Sequence, residues 1–332
     1  MKVVKRILCL VLLLCAFVLV GCNDNKVRIG IIQYVTDGAL DDARNGIIEG
    51  LKEAGFVDGE NAKITVYNPQ AKADTLADMA RRALKKNDYV FAIATPVAQA
   101  LKAAAADLES DAQIFFTAVT DPVASGIITS NTNPGGNITG TNDMNPVEFQ
   151  VGLIKDLFPD REVNTLKLGV IYTPSENNSV IQVNLVKAEC TRLGITLIEQ
   201  TVAQSTDIAN AVEYLKTRVD AIYLPTDNLV AANVFSITSV ANASGVPTIC
   251  GEASMLNNGG TIAYGVNYIT LGKMTGLMAA RVINGEVSKA GDIPSTGMAE
   301  ADFTLAINVR DGAEGGIVVP QELQERADTV IR

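Results

Sequence analysis

Carboxylates at the ends of predicted strands are the side chains in this sequence best suited to hold a charged ligand. Asp121, Asp227 and Glu252 each follow a buried-strand pattern. A ligand ammonium that leaves water needs such a partner. Asp121 and Asp227 also precede predicted helices and suit the N-cap position. Ligand contact and helix capping therefore both stay open as interpretations.

A second candidate is the Thr95-Pro96 pair, which places a hydroxyl and a helix N-terminus after the third predicted strand. Free backbone N–H groups at a helix N-terminus favour an anion such as a carboxylate. A plain helix start without a ligand is the alternative. Tyr34 and Tyr172 follow the first strand of each half and are placed either to stack on an aromatic ligand or to pack against the core.

The absence of other residue types excludes several kinds of enzyme. The chain contains no His, which removes Ser–His–Asp triads, Cys–His dyads and His-based zinc sites. The Gly-rich segment 133–137 lacks the Lys of a phosphate-binding loop, and no GxGxxG follows the first strand. The sequence therefore predicts a binding cleft with no catalytic residues, no metal and no cofactor.

Composition agrees with an ordinary globular protein. The 332 residues suggest about two domains, and 48% of them are hydrophobic against 19% charged. The formal charge of −10 provides no field that would draw the chain onto nucleic acid.

The first residues predict export and lipidation. Lys2, Lys5 and Arg6 precede an apolar run over 7–20, which is too short to span a bilayer but suits a signal peptide. The run ends in Leu-Val-Gly-Cys at 19–22, which resembles the bacterial lipobox. We expect 1–21 to be a signal peptide, Cys22 to carry the lipid, and 22–26 to form the tether. An ordinary signal peptide is the alternative.

Only two cysteines remain outside the leader and anchor. Cys190 lies in a predicted helix and Cys250 ends a predicted strand. Two buried free thiols are favoured, although a disulfide is compatible with export.

The elements that position these residues occur as two copies of one plan. Gly30 and Gly55 are 25 positions apart, and so are Gly169 and Gly194. In each pair the first glycine lies in a predicted buried strand, and the second ends the helix that follows. Strand–helix alternation continues through both halves, which is typical of parallel sheets with helices on both faces. The predicted fold is α/β, with two doubly wound lobes joined by a hinge.

We assign 27–143 with about 269–300 to the first lobe, and 144–268 with about 301–332 to the second. The crossover lies near 142–146, where Asn145 is predicted to cap a helix that begins at Pro146. Ligands of open parallel sheets bind beyond the carboxyl ends of the strands. We therefore expect one cleft between the lobes.

Several motifs resemble one known family. They are ATPVAQA at 94–100, FTAVTDPV at 116–123, NPGGNITG at 133–140, NPVE at 145–148, YTPSENNS at 172–179 and LPTDN at 224–228. Together they are similar to the tryptophan/tyrosine-type substrate-binding lipoproteins of bacterial ABC transporters. The family's first loop often has Glu-His-Pro before Ala-Leu-Asp, whereas this chain has Thr36-Asp37-Gly38 there.

The resemblance implies a type I periplasmic-binding fold and a small solute as ligand, with an aromatic amino acid as the first expectation. It implies delivery to ABC permease subunits by a monomer held on the outer face of the cell membrane by its lipid anchor only. In this interpretation Thr95 contacts the carboxylate of the ligand. Asp227 contacts its ammonium, and Asp121 or Glu252 would take that role instead. Tyr34 and Leu40 border the ligand side chain. The candidate ligand-binding residues are Tyr34, Leu40, Asp41, Thr95, Gln99, Thr117, Asp121, Ser175, Glu176, Asn178, Thr226, Asp227, Asn228 and Glu252.

Three alternatives stay open. The same clamp accommodates a branched amino acid, a nucleoside or a sugar, although the absence of Trp makes sugar stacking less favourable. A sensory lipoprotein and an enzyme on this scaffold are the other two.

Overall fold

The computed structural model describes residues 26–332. The predicted signal peptide, the lipidation site Cys22 and the tether up to residue 25 lie outside the described residues. Within the described residues, no helix combines the length and the apolar character that crossing a bilayer requires.

The first part of the chain alternates strands and helices until two strands follow each other directly. Its elements are β1 (Val27–Gln33), α1 (Gly38–Glu53), β2 (Ala62–Tyr67), α2 (Ala73–Lys86), β3 (Tyr89–Ile93), α3 (Thr95–Leu108), β4 (Gln113–Val119) and β5 (Ile138–Asn142).

The second part repeats the alternation after a crossover. Its elements are α4 (Val147–Leu157), β6 (Lys167–Tyr172), α5 (Asn177–Leu193), β7 (Thr196–Thr201), α6 (Ser205–Leu215), β8 (Ala221–Leu224), α7 (Asn228–Ala232), α8 (Val234–Ala243), β9 (Thr248–Cys250) and β10 (Ile262–Gly265).

The last part of the chain contributes elements to both lobes. Its elements are α9 (Tyr268–Ile283), β11 (Thr296–Gly297), β12 (Thr304–Asn308), α10 (Gln321–Arg326) and β13 (Thr329–Ile331). Helix α9 packs along α1 and β11 pairs with β5, both in the first lobe, whereas β12 pairs with β10 in the second.

The strand orders define two doubly wound sheets. The first runs β11-β5-β4-β3-β1-β2 and is parallel throughout, and the second runs β13-β12-β10-β9-β8-β6-β7 with one antiparallel pair, β10 with β12. Helices cover both faces of each sheet. The predicted α/β class with two doubly wound lobes is confirmed.

Strand β1 shows why these strands are continuously apolar. Ile29 and Ile31 point into a core formed with α1 and α9, whereas Ile32 points into a second core formed with α2 and α3. All three side chains are fully buried. A strand covered on both faces needs apolar residues at successive positions rather than at alternate ones.

Helices α1 and α9 approach each other at backbone distance through four glycines. A Cβ at Gly46 or Gly50 would overlap the backbone of α9, and one at Gly272 or Gly276 would overlap that of α1. Each pair is spaced four residues apart, so both glycines lie on one face of their helix. This contact fixes α9 to the first lobe after the chain has contributed β6 to β10 to the second sheet.

Of two helix boundaries predicted from the sequence, one agrees with the structure and one does not. Gly194 ends α5 in the left-handed conformation, as predicted. The predicted cap at Asn145 is wrong, because Pro146 occupies the N-cap of α4 and makes no side-chain bond. The Asn145 side chain instead packs against Gly265, on a second segment that crosses between the lobes.

The two remaining cysteines are free and buried. Burial raises the pKa of each thiol to about 12. Both are therefore inert core residues.

Candidate functional site

A small cavity lies between the lobes, at the carboxyl ends of the strands of both sheets. The first sheet, its loops and the start of α9 supply one wall, and the second lobe supplies the other. Its lining residues are Asp37, Ala39, Leu40, Ala118, Thr120, Asp143, Asn178, Thr226, Asp227, Asn228, Ala231, Glu252 and Tyr268.

Asp37 is held at the cavity by its role at the start of α1. It is the N-cap residue, and its Oδ1 accepts a hydrogen bond of 2.9 Å from the backbone N–H of Leu40. Its Oδ2 is buried and has no hydrogen-bond partner among the described residues. One carboxylate oxygen thus caps the helix, and the other is positioned to accept a hydrogen bond from a ligand.

Asp143 and Tyr268 come from two of the three segments that cross between the lobes. The Tyr268 hydroxyl donates a hydrogen bond of 2.6 Å to Oδ2 of Asp143, and both side chains are buried. Oδ1 of Asp143 is buried without a partner in the described part of the chain.

Asp227 is the best-satisfied acid of the cavity. Oδ1 accepts from the Thr173 hydroxyl at 3.0 Å and from the Val230 N–H at 2.9 Å. Oδ2 accepts from the Thr173 N–H at 2.6 Å and from the Ser179 hydroxyl at 2.5 Å. The capping interpretation is thereby observed directly, since Asp227 begins α7. The same four bonds hold three segments of the second lobe together behind the cavity.

Glu176 forms a second buried carboxyl behind the cavity wall. Its Oε2 accepts from the side-chain amides of Asn178 and Asn228, at 3.1 and 2.5 Å. These bonds orient both amides, and Oδ1 of Asn178 remains buried with no partner among residues 26–332.

Glu252 faces the first lobe from the segment after β9. Its carboxylate accepts from the Ser254 N–H at 2.6 Å and from the Ser254 hydroxyl at 2.9 Å. A Cβ at Gly38 would overlap the Ser254 side chain, so the two lobes touch at this point. Gln182 of the second lobe also donates to the Thr120 hydroxyl of the first at 3.3 Å.

The cavity gathers acids without a basic side chain in its lining. Burial raises the pKa of Asp37 and of Glu252 to about 7. Burial also raises the pKa of Asp143 and of Asp227. The pKa of Glu176 rises to about 7 through burial and the neighbouring Asp227 charge. Such a site favours a cation, because a positive charge repays the cost of ionising these groups.

Six of the sequence-predicted site residues line the cavity together: Leu40, Asn178, Thr226, Asp227, Asn228 and Glu252. A seventh, Glu176, lies directly behind them. The other seven lie outside the lining.

Three of these seven belong to the first lobe's strand ends. Tyr34 is half-buried against both cores, and Thr117 accepts from the Thr141 hydroxyl beneath the sheet. Thr95 is buried in the first turn of α3, and its hydroxyl lacks a hydrogen-bond partner in the described residues.

The other four make local polar contacts or face solvent. Asp41 accepts from Gln33 and Arg44, and Gln99 donates to the Ser125 carbonyl. Asp121 accepts from the N–H groups of the two residues after Pro122, and Ser175 is exposed.

Sequence reasoning missed Asp37, Thr120, Asp143 and Tyr268 as lining residues. Asp37 and Thr120 lie in loops that follow predicted strands, which is the signal that would have found them. Asp143 was interpreted only as part of the hinge, and Tyr268 begins a helix whose return to the first lobe depends on tertiary packing.

The lobes leave little space at their junction. The cavity has a volume of about 30 Å³, enough for a water molecule or two. An amino acid therefore enters only when the lobes separate or the lining side chains rotate. The structure is a closed arrangement of the clamp.

Two α/β lobes linked by crossing segments, with a polar cavity at their junction, define a hinged solute-binding protein. The family assignment agrees: a sequence profile described as ABC transporter substrate binding protein matches residues 28–331. The chain belongs to this family of substrate-binding proteins of ABC transporters.

Two relatives are associated with an aromatic amino acid. The tyrosine-binding protein of Clostridioides difficile (strain R20291) is 34% identical over 320 residues, with 91% of this chain and 90% of the relative covered. An ABC domain from Streptococcus pneumonia in complex with L-Trp has a TM-score of 0.83 at 32% identity, covering 92% of this chain and all of its own.

A third relative allows the arrangement of the two lobes to be compared with an open structure. The ligand-free, open structure of a substrate-binding protein with adhesive properties from Clostridium difficile is 33% identical over 92% of this chain and 99% of its own. Its TM-score of 0.67 is lower than that of the L-Trp complex, although the identities are nearly equal. This difference agrees with the contact between the lobes described above.

Proposed function

We propose that this protein binds an aromatic amino acid (tyrosine, tryptophan or phenylalanine) outside the cytoplasm and delivers it to the permease of an ABC importer. One observation carries the amino-acid assignment. Three buried acceptor oxygens of cavity-lining residues, on Asp37, Asp143 and Asn178, have no donor among the described residues.

An α-ammonium group matches these acceptors in number and charge. It offers three N–H donors, and no lining side chain is basic. Charge-assisted hydrogen bonds to two carboxylates would offset the loss of its hydration. We place the ammonium between Asp37 and Asp143, with Asp227 and Glu252 contributing charge nearby.

The remainder of the ligand has two further contacts in this proposal. Its carboxylate approaches the Thr95 hydroxyl and the N-terminus of α3, where the hydroxyl is buried and lacks a partner in the described structure. Its side chain lies against Leu40, Ala118 and Ala231, which form the apolar part of the lining. The relatives named for tyrosine and L-Trp support an aromatic side chain.

The protein acts as a carrier and not as an enzyme in this proposal. The lining contains no Ser, Cys or Lys that would serve as a nucleophile, and the family profile that the chain matches is that of substrate-binding proteins. Closure of the lobes around the solute is a shift of population toward the state that binds it better.

We further propose that the body works as a monomer on the outer face of the cell membrane, held by acylated Cys22. The lipobox-like Leu-Val-Gly-Cys at 19–22 after an apolar run supports this placement. Two or more acyl chains give the stable attachment that one chain does not.

Calorimetric titration with free amino acids tests the ligand. We expect L-tyrosine, L-tryptophan or L-phenylalanine to bind, and N-acetyl-L-tyrosine, which lacks the ammonium, to fail. Bound L-tryptophan would be the sole indole in the sample, because the chain has no Trp. Tight binding of another solute without response to any aromatic amino acid would refute the assignment.

A further inference from the structure

A basic groove lies on the first lobe, although the chain as a whole is acidic. Its walls come from the start of β1, one face of β2 and the last turns of α2, and its volume is about 520 Å³. Its lining residues are Arg28, Lys63, Thr65, Tyr67, Arg82, Lys85, Lys86 and Asn87.

Four of the five cations in this basic groove are available to a partner. Arg28 pairs with Asp88 at 2.5 Å. Lys63, Arg82, Lys85 and Lys86 are exposed and form no ion pair within the described residues. Four like charges on one face of an acidic protein predict an anionic partner.

The position of the groove agrees with the route of the chain toward its predicted anchor. Arg28 stands beside Lys63 in the register of β1 and β2, at the amino ends of both strands. Lys26 precedes β1, and its ammonium donates to the Gly59 carbonyl at 2.7 Å. The five-residue step from Cys22 to Val27 spans at most about 18 Å even when fully extended. A lipid on Cys22 therefore keeps the bilayer close to this end of the lobe.

We propose that the basic groove is a docking surface for the anionic headgroups of the membrane that carries the protein. The proposal rests on the lipid anchor proposed above, because a short anchored tether brings the groove within reach of the surface. Attraction between exposed charges extends about 8 Å at physiological ionic strength. The tether therefore strengthens this contact, because it holds the four charges of the groove near the surface.

This contact has a consequence for solute capture. The charged residues of the groove lie toward the amino ends of β1 and β2 and at the end of α2, whereas the cleft cavity lies at the carboxyl ends of the strands. A lobe resting on the membrane through the groove points its cleft away from the bilayer, toward incoming solute. Release from the headgroups then frees the clamp to turn toward the permease.

Vesicle binding by the unlipidated body from Asn23 onward tests the surface without the anchor. Both sheets lie within residues 26–332, and the relative solved with L-Trp is covered completely by the matching 92% of this chain, so this body contains the whole fold. The probe is vesicles of equal parts phosphatidylcholine and phosphatidylglycerol, with pure phosphatidylcholine as reference. We expect salt-sensitive sedimentation with the anionic vesicles only.

Two matched variants locate the contact. The groove variant Lys63→Gln, Arg82→Gln, Lys85→Gln, Lys86→Gln should lower vesicle binding about fivefold for each charge removed. The control variant Lys52→Gln, Lys72→Gln, Lys155→Gln, Lys167→Gln removes four exposed lysines elsewhere and should bind as the unchanged body does. Thermal melting confirms that both variants fold.

Three results would overturn the proposal. One is equal binding to both kinds of vesicle, and another is an equal loss in the two variants. The third is binding of inorganic phosphate or of a short RNA without vesicle binding, which would assign the groove to a soluble anion or to nucleic acid. Amino-acid titration of the groove variant keeps the tests separate, because we expect its solute affinity to be unchanged.

Discussion

The hydroxyl of Tyr268 donates a 2.6 Å hydrogen bond to Oδ2 of Asp143, joining two segments that cross between the lobes. Both side chains also line the cleft cavity. The bond thus connects the hinge to the cavity: movement of one crossing segment relative to the other changes the position of a carboxylate that lines the cavity.

Replacing this donor tests the connection. Tyr268→Phe should lower the free energy of unfolding by about 1–3 kcal/mol, because it leaves a second oxygen of the buried Asp143 without a donor. It should also weaken solute binding, because loss of the bond raises the pKa of Asp143 further. Urea denaturation and calorimetry measure the two effects. The half-exposed Tyr214→Phe is the control, and equal behaviour of the two variants would contradict the role of the bond.

Asp227 provides a second test, in which stability and binding are measured separately. Asp227→Ala removes four accepted hydrogen bonds and leaves the buried N–H groups of Thr173 and Val230 without their acceptor. Each such donor costs about 1–3 kcal/mol. If Asp227 also holds the ligand charge, solute affinity should fall by ~2–5 kcal/mol.

Asp37→Asn is the matched comparison for Asp227. It keeps Oδ1 as the acceptor for Leu40 and changes only the oxygen that lacks a partner. We expect little loss of stability and a clear loss of affinity. Unchanged affinity in Asp37→Asn, measured by calorimetry, would remove Asp37 from the ammonium site.

The acids of the cavity show how far the sequence predicts this molecule. The strand ends and the repeated plan are visible because buried parallel strands are continuously apolar and helices stop at glycine. Asp227 and Glu252 were predicted on that basis. The capping role of Asp227 also follows from its place before a predicted helix, whereas its bonds to Thr173 and Ser179 depend on which loops meet in space.

The features of the fold and of the cavity that the sequence does not predict depend on contacts between distant parts of the chain. The Tyr268–Asp143 bond joins residues 125 positions apart. Tyr268 reaches the cavity only because α9 returns to the first lobe. That return depends on close packing of glycines, which have no side chain to form a hydrophobic pattern.

The glycine contact between α1 and α9 makes its own prediction. Gly46→Ala should destabilise the protein, although Ala favours a helix by about 1 kcal/mol, because its Cβ would overlap the Ile269 carbonyl. Gly152→Ala is the control: it lies in α4 and would meet no atom within 4 Å. We expect thermal unfolding at a lower temperature for the first variant and a slightly higher one for the second. A stable Gly46→Ala protein would contradict the observed packing.

The anchor is tested at one residue. Cys22→Ser should release the exported protein from the membrane fraction and abolish labelling by radioactive palmitate, because the thiol is the proposed acylation site. Cys15→Ser, within the predicted leader, should leave both unchanged. Palmitate label retained in Cys22→Ser would contradict the lipobox assignment.

The buried acids predict opposite effects of pH on stability and on binding. The pKa values of Asp37, Glu176 and Glu252 are raised from ordinary values near 4 to about 7. These three groups bind more protons in the folded protein than in the unfolded chain between pH 4 and pH 7, so their contribution to stability is greatest at or below pH 4 and is lost as the pH rises to about 7. No His titrates in this interval.

Solute binding should follow the reverse trend. The ammonium pairs with ionised carboxylates, so binding below pH 7 must release protons, and affinity should increase between pH 5 and pH 8. Thermal melting without solute and calorimetry in two buffers of different ionisation enthalpy measure the two slopes. Glu252→Gln should flatten both, whereas Glu314→Gln, exposed in the second lobe and outside the cavity lining, should not. Affinity that declines toward pH 8 would show that the ligand does not bring a positive charge to these acids.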